Sequence, residues 1–379
     1  MTATWDVPLT EIHMSDEDVA AVMDVYASGW LTMGPRTKEF ETALAAFSGV
    51  SRAVAVSSGT AALHLACRAA GVGPGDEVIV PALTFLATAH APRYCGATVV
   101  LADATSEHDP NVSVADVERR ITPRTRAVIA VDLFGTSADT AALRLLCDRH
   151  GLVLIEDMAQ AIGARRRDGA PAGSAADLAC LSFFSKKQLP LGEGGAVLTG
   201  SDERAATVAS LRSHAMTSGT WDRHRGHSES YDVVDIGHNY RLDEPRAALG
   251  LSRLRHLGDD LAARRHAVAR YRARLAGVDG IALVGDDVDV ACSSHFAFPV
   301  RTDTADLRIA LRSELPVRGI QTTRYPVLSA LAEYAEHADG SHPSATTFAD
   351  RHVCLPLWGG IGDDAVDRVC DAVAAVCGA

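Results

Sequence analysis

Short apolar runs alternate with helix-patterned stretches along the first two hundred residues. The runs Ala53–Val56, Glu77–Pro81, Thr98–Ala102, Ala127–Leu133, Leu152–Ile155, Leu178–Phe184 and Gly195–Leu198 are short for helices and read as strands. Between them, Ala61–Ala70 and Ala138–Arg149 have helical patterning, and the turn-forming string Gly71-Val72-Gly73-Pro74-Gly75 closes the first. Such alternation predicts an α/β fold, a mainly parallel sheet flanked by helices. After Asn239 the pattern changes. Arg241–Leu275 reads as one long helix, followed by a strand over Ser294–Arg301 and helices over Asp306–Glu314 and Asp364–Val376. The expected organisation is a large α/β domain over residues 1–250, with an N-terminal arm, and a smaller α+β domain over residues 251–379. The basic run from Arg264 to Arg274 is expected to be a solvated helix face.

Charge and composition narrow the function. A net charge of −12 argues against non-specific binding of nucleic acid, while leaving room for a local basic pocket. No apolar stretch reaches the roughly 18 residues of a membrane span, so no membrane role is expected. The segment from Met1 to Val19 has neither a basic leader nor an apolar core, so no signal peptide is expected. Eight cysteines are scattered without a C-x-x-C pair, and in a large chain of this kind they are expected to be reduced thiols. The protein is therefore expected in the cytoplasm. No P-loop string is present. No metal-ligand spacing is convincing either, and His224 and His227 are expected on a solvated loop.

Four segments carry candidate chemistry. Ser57-Ser58-Gly59-Thr60 follows a strand and opens a helix, whose N-terminal N–H groups and dipole suit a phosphate. Val153–Ile155 leads into Glu156-Asp157, with Gln160 one turn onward. A buried aspartate at a strand's C-terminal end could hold a pyridine nitrogen protonated, making the ring an electron sink, and Gln160 could bond a ring substituent. In Ser182-Phe183-Phe184-Ser185-Lys186-Lys187 a lysine stands just beyond a strand and before the glycine-rich Gly192–Gly195. A desolvated amine there could form an imine with an aldehyde, and Ser182 could bond a phosphate; spacing alone does not choose between the two lysines. Gly237-His238-Asn239-Tyr240-Arg241 is a polar cluster suited to phosphate or carboxylate.

In this order and spacing the segments resemble the nucleotide-sugar aminotransferase family called DegT/DnrJ/StrS. The likeness extends to Gly29-Trp30-Leu31-Thr32, Gly34-Pro35, Phe40-Glu41, Pro81–Phe85 and Leu355-Pro356-Leu357. It implies an aspartate-aminotransferase-like fold (fold type I), pyridoxal 5′-phosphate as cofactor with pyridoxamine 5′-phosphate as intermediate, and a homodimer with shared active sites. By position, the resemblance makes Lys187 the Schiff-base lysine, Asp157 the partner of the pyridine nitrogen and Gln160 the contact to the phenolic oxygen. It makes Gly59, Thr60 and Ser182 phosphate ligands and Phe85 the stacking aromatic, with Asn239 reaching the phosphate from the second subunit. Trp30, Arg241 and Tyr325 are implied near the substrate. Gln188 stands where the family usually has Asn, Lys186 where a small or polar residue is commoner, and Asp132 where His is frequent, implying altered substrate contacts. A lysine rather than a histidine at position 187 implies transamination rather than dehydration. The expected reaction moves an amino group from an amino acid, L-glutamate, to a keto-deoxysugar on a nucleoside diphosphate. The alternatives are a cyclic ketone bearing no nucleotide, such as an inosose, or a non-catalytic cofactor-binding partner or regulator.

Overall fold

The computed structural model describes residues 5–217, 230–338 and 340–378; His224 and His227 lie outside them. Among these residues seven strands form one sheet: β1 (Arg52–Val56), β2 (Glu77–Pro81), β3 (Thr98–Ala102), β4 (Thr125–Val131), β5 (Val153–Asp157), β6 (Leu178–Ser182) and β7 (Gly195–Thr199). Their order is β1-β7-β6-β5-β4-β2-β3. The five from β6 to β3 are mutually parallel, and β7 runs antiparallel to both its neighbours. Both faces of the sheet are covered. Successive side chains of a strand point to opposite faces, so Val54 and Val56 enter one core while Ala53 and Ala55 enter another.

The helices of this part are α1 (Asp16–Ser28), α2 (Pro35–Ser48), α3 (Gly59–Ala69), α4 (Ala87–Tyr94), α5 (Val114–Arg120), α6 (Thr140–His150) and α7 (Asp202–Leu211). Next come α8 (Glu244–Leu275), α9 (Asp287–Cys292), α10 (Ala305–Val317), α11 (Pro343–Arg351) and α12 (Asp363–Cys377). A second sheet, β8 (Ile281–Leu283), β9 (Phe298–Thr302) and β10 (His352–Leu355), is antiparallel in the order β10-β9-β8.

Long helix α8 ties the molecule together. Its N-cap Asp243 accepts from Arg246 N, as a capping aspartate does. Glu244 reaches back to α2, where its buried carboxylate accepts from the N–H groups of Gly34, Arg36 and Thr37, each at 2.8 Å, and from Thr37 Oγ1 at 2.7 Å. Those are the donors a helix start leaves unpaired. Leu254, Leu257 and Leu261 join the core beneath the main sheet, whereas Ala267, Val268, Tyr271 and Leu275 join the core of the small sheet. That second core also takes Val7 from the N-terminal arm. Conversely, Val327, Leu328, Tyr334 and Phe348 pack into the main sheet's core. The two bodies exchange segments.

Several boundaries differ from the expectation. The run over Ala127–Leu133 leaves the sheet after Val131, because Leu133–Gly135 tightens into a 3₁₀ turn with Phe134 at φ 59°. The run over Ser294–Arg301 begins its strand only at Phe298, its first residues being bonded to that same turn. Helices α1 and α2 are additions to the sequence reading. The basic face of α8 is not simply solvated: Arg270 pairs with Asp363 and Asp367 on α12, Arg274 with Asp367 and Asp371, and Arg264 is buried against Asp260. An acidic helix packed alongside turns the basic run into a seam.

Candidate active site

Strand polarity brings the candidate residues together. Since β1, β5 and β6 point the same way, Ser57–Thr60, Asp157 and Ser182 emerge at one edge of the sheet, the usual place for a ligand in such folds. Ser58–Thr60, Asp157 and Ser182 surround a cavity of about 340 Å³ lined also by Phe85, Val131, Ala159, Gln160, Lys186, Lys187, Phe296 and Tyr325.

Ser58 caps α3 by accepting from Ala61 N at 3.1 Å. Gly59 follows, and its lack of a side chain is required: a Cβ there would lie 2.8 Å from Ser182 Cβ and 3.1 Å from Ser182 Oγ. A side chain at Gly195 would strike the backbone of Ser58 at 2.5 Å. The two glycines let the helix start press directly onto β6 and β7. The helix N-terminus and the Ser182 hydroxyl thus face one spot, which suits an anion.

Asp157 is buried, and its carboxylate is held from two sides. Oδ2 accepts from Thr88 Oγ1 at 2.7 Å and Oδ1 from Ala159 N at 3.0 Å. Thr88 in turn shares a 2.8 Å hydrogen bond with buried Thr84. Burial pushes the Asp157 carboxyl up, opposed by the Thr88 and Ala159 bonds and by the charge of Lys187. A buried carboxylate of this kind is best satisfied by a cationic N–H. Gln160 Oε1 is occupied by Phe134 N at 2.8 Å, so its amide N–H₂ is the end left for the cavity. Gln188 bonds the backbone oxygen of Gln160 at 2.7 Å and Ser294 Oγ at 2.9 Å, fixing this wall from behind.

The structure separates the two lysines. Lys186 is exposed at the rim, whereas Lys187 is recessed. Desolvation brings the Lys187 amine down to about 8, with Asp157 acting in the opposite direction. An amine so lowered is partly unprotonated near neutral pH and competent as a nucleophile or base. Its Nζ lies 4.5 Å from the centroid of the Phe296 ring.

Not every candidate enters this cavity. Phe85 and Tyr325 do, Tyr325 meeting Phe134 edge-on at 5.6 Å. Asn239 is exposed and absent from the lining; its backbone bridges Ser213. Arg241 pairs its backbone with Val56 at the end of β1 and is likewise absent from the lining. Trp30 lies by the start of α2, in a separate pocket with Pro35 and Glu244, because the Glu244 bonds hold that loop against α8. Asp132, expected to alter substrate contacts, is fully buried instead and accepts from Ala138 N at 2.9 Å. Burial and neighbouring Glu156 push its carboxyl up, so it serves the interior beneath the site. Sequence reasoning missed Thr88 and Phe296. Thr84 and Thr88 stand one helical turn apart, a spacing that could have flagged the pair, but nothing local marks Phe296 as a neighbour of Lys187.

A lysine and a buried carboxylate at the C-terminal edge of a mainly parallel sheet, with a helix N-terminus closing the cavity, define a pyridoxal-phosphate-dependent aminotransferase of fold type I. Relatives narrow this further. The chain is 41% identical over 378 residues to dTDP-3-amino-3,4,6-trideoxy-alpha-D-glucose transaminase of Streptomyces venezuelae, covering 97% of this chain and 95% of that one. It is 35% identical over 365 residues to GDP-perosamine synthase of Caulobacter vibrioides, covering 93% of each. Among solved structures, a Streptococcus pneumoniae protein described as a sugar aminotransferase, in its PMP form, superposes with a TM-score of 0.92 at 28% identity, over 98% of this chain and 99% of that one. The DegT/DnrJ/EryC1/StrS aminotransferase family model matches residues 13–374, and the chain belongs to that family.

Proposed function

We propose that this aminotransferase moves an amino group from an amino acid, L-glutamate, to a keto-deoxysugar carried on a nucleoside diphosphate. The observation that carries the reading is the joint placement of Lys187, Asp157 and Gln160 around one cavity closed by the start of α3. The relatives named above, on dTDP- and GDP-linked sugars, support the substrate class.

The residues present fit pyridoxal phosphate. Asp157 is a buried carboxylate awaiting a cationic N–H, Gln160 turns its amide N–H₂ to the cavity, and the Gly59–Thr60 turn with Ser182 makes an anion cradle that a Cβ at Gly59 would fill. Bound there, the cofactor supplies an electron sink that eases removal of a proton from the carbon bearing nitrogen. Asp157 would hold the ring nitrogen charged, and Thr88 and Ala159 keep Asp157 oriented for it. Lys187 is the amine that would hold the aldehyde, and once displaced its Nζ could carry a proton between the donor's α-carbon and the cofactor, which an amine lowered to about 8 can do in both directions. Phe85, Val131 and Ala159 give the ring apolar walls.

Exposed Asn239 fits a homodimer in which the partner subunit's Asn239 reaches the phosphate. Tyr231, Val233, Val234 and Ile236 are exposed apolar side chains beside it, material for such an interface. Trp30 and Arg241, outside this chain's own cavity, and Tyr325 within it are assigned to the substrate. No helix among the described residues is long and apolar enough to cross a membrane, and a cytoplasmic place suits the free cysteines.

The test is spectroscopic. Protein loaded with pyridoxal phosphate should show a near-visible band that shifts on adding glutamate, and borohydride followed by peptide mapping should label Lys187. A panel of nucleotide keto-sugars then identifies the acceptor. Protein that stays colourless with added pyridoxal phosphate would overturn the proposal, and a label on Lys186 would overturn the assignment of the anchor.

A further inference from the structure

Lys187 has an unusual neighbour. Its Nζ stands 4.5 Å from the centroid of the Phe296 ring, and among the described residues no oxygen accepts a hydrogen bond from it. Asp157 influences it only as a nearby charge. Phe296 does not belong to the sheet that carries the lysine: it lies just before β9, in the segment leading into the small domain.

That segment is clamped to the large domain by backbone bonds, with Ser294 Oγ held as well by Gln188. Phe296 N donates to Phe134 O at 3.0 Å and Ser294 N to Gly135 O at 2.9 Å. Phe134 and His295 both hold positive φ, at 59° and 52°, which side-chain-bearing residues adopt only when the surroundings enforce it. Gly135 has φ 96°, and a Cβ on it would meet His295 N and Phe296 N at 2.8 Å. The same turn sends Phe134 N to Gln160 Oε1. Two strained residues and a glycine that leaves no room for a Cβ therefore set the ring at a fixed place over the amine.

We infer that Phe296 is a positioning residue for Lys187, its ring face holding the amine at the cavity whenever the amine is not bound to cofactor. A carboxylate in that position would grip the amine as an ammonium through directed hydrogen bonds. A ring face attracts the ammonium without an acceptor atom, so the amine stays placed yet free to lose its proton and attack. This rests on the functional reading above, which supplies the aldehyde that Lys187 captures.

The experiment compares two ligands on cofactor-stripped full-length protein. Pyridoxal phosphate reports capture by Lys187 through the growth of its visible band in stopped flow. Pyridoxamine phosphate lacks the aldehyde and reports the fit of the cavity alone, by equilibrium dialysis. In Phe296→Leu, band formation should slow about 10- to 100-fold, the size of effect that a misplacement near 1 Å produces, while pyridoxamine phosphate affinity stays within about twofold. Phe296→Tyr should recover most of the rate, and Phe296→Met provides a second ring-free variant should the leucine variant fail to fold. Unchanged capture in both ring-free variants overturns the inference, as does a proportional loss of pyridoxamine phosphate affinity, which would make the ring mere wall. Wild-type protein that binds neither ligand would instead refute the functional reading itself.

Discussion

Replacing Gly59 with alanine isolates the phosphate cradle. The added Cβ would stand 2.8 Å from Ser182 Cβ, 3.1 Å from its Oγ and 3.4 Å from its Cα. Carbon atoms in contact settle near 3.5–4.0 Å, so the start of α3 and the end of β6 must separate by up to about 1 Å. On the proposed reading those two elements would carry the phosphate donors from opposite sides, and neither can follow without breaking its own packing: Ala61 and Ala62 are buried behind the helix start, Cys180 and Leu181 behind Ser182. One or two charge-assisted hydrogen bonds would be lost or badly stretched, at about 1.5–3 kcal/mol each. The net loss of about 2–4 kcal/mol corresponds to an affinity about 30- to 1,000-fold weaker. Equilibrium dialysis of pyridoxamine phosphate measures it, and phosphate-free pyridoxamine is the control. The reasoning fails if the variant binds pyridoxamine phosphate as tightly as wild type, or if pyridoxamine weakens by the same factor.

Three other perturbations follow from the geometry. Asp157→Asn keeps the shape but cannot hold a ring nitrogen charged, so kcat should drop by about 10²–10⁴ with cofactor still bound; steady-state kinetics on cofactor-loaded protein decide it. With the amine lowered to about 8 in cofactor-free protein, capture of pyridoxal phosphate should rise with pH through that region and level off above it. A stopped-flow profile still climbing towards the ordinary lysine value would contradict this. Glu244→Ala would strip four hydrogen bonds from the start of α2, costing about 3–5 kcal/mol; a shift of the urea midpoint measures it, and a change within error would mean water replaces the carboxylate.

What the sequence disclosed depended on whether the cause was local. Fully buried strands such as β2 and β7 are apolar at nearly every position, so they stood out as short runs. Asp157 and Ser182 were readable because each closes such a run, whereas the choice of Lys187 over Lys186 rested on the family resemblance. The strand over Ala127–Leu133 was read too long because the turn at Phe134 is enforced by Ser294 and Phe296, well over a hundred residues away. Helix α2 stayed hidden because its start is capped by Glu244 rather than by a neighbour. The basic run on α8 is partly exposed, as expected, but its acidic partners, nearly a hundred residues downstream on α12, could not be seen locally. Trp30 shows the limit of a motif: the segment is recognisable, but nothing in it tells which cavity it faces.

The exchange of segments between the two bodies bears on how such chains recombine. Cutting near residue 250, where the sequence changes character, would sever α8 within its first two turns, taking Leu254, Leu257 and Leu261 from the core that holds Phe40 and Leu44. It would also leave Val7 without Tyr271 and Ile320. Neither fragment would be a self-sufficient unit. A chimera joining the front of this chain to the back of a distant relative would have to match both halves of one helix and the arm at once. Crossovers that survive are therefore expected after Leu275, and together with a matching N-terminal arm.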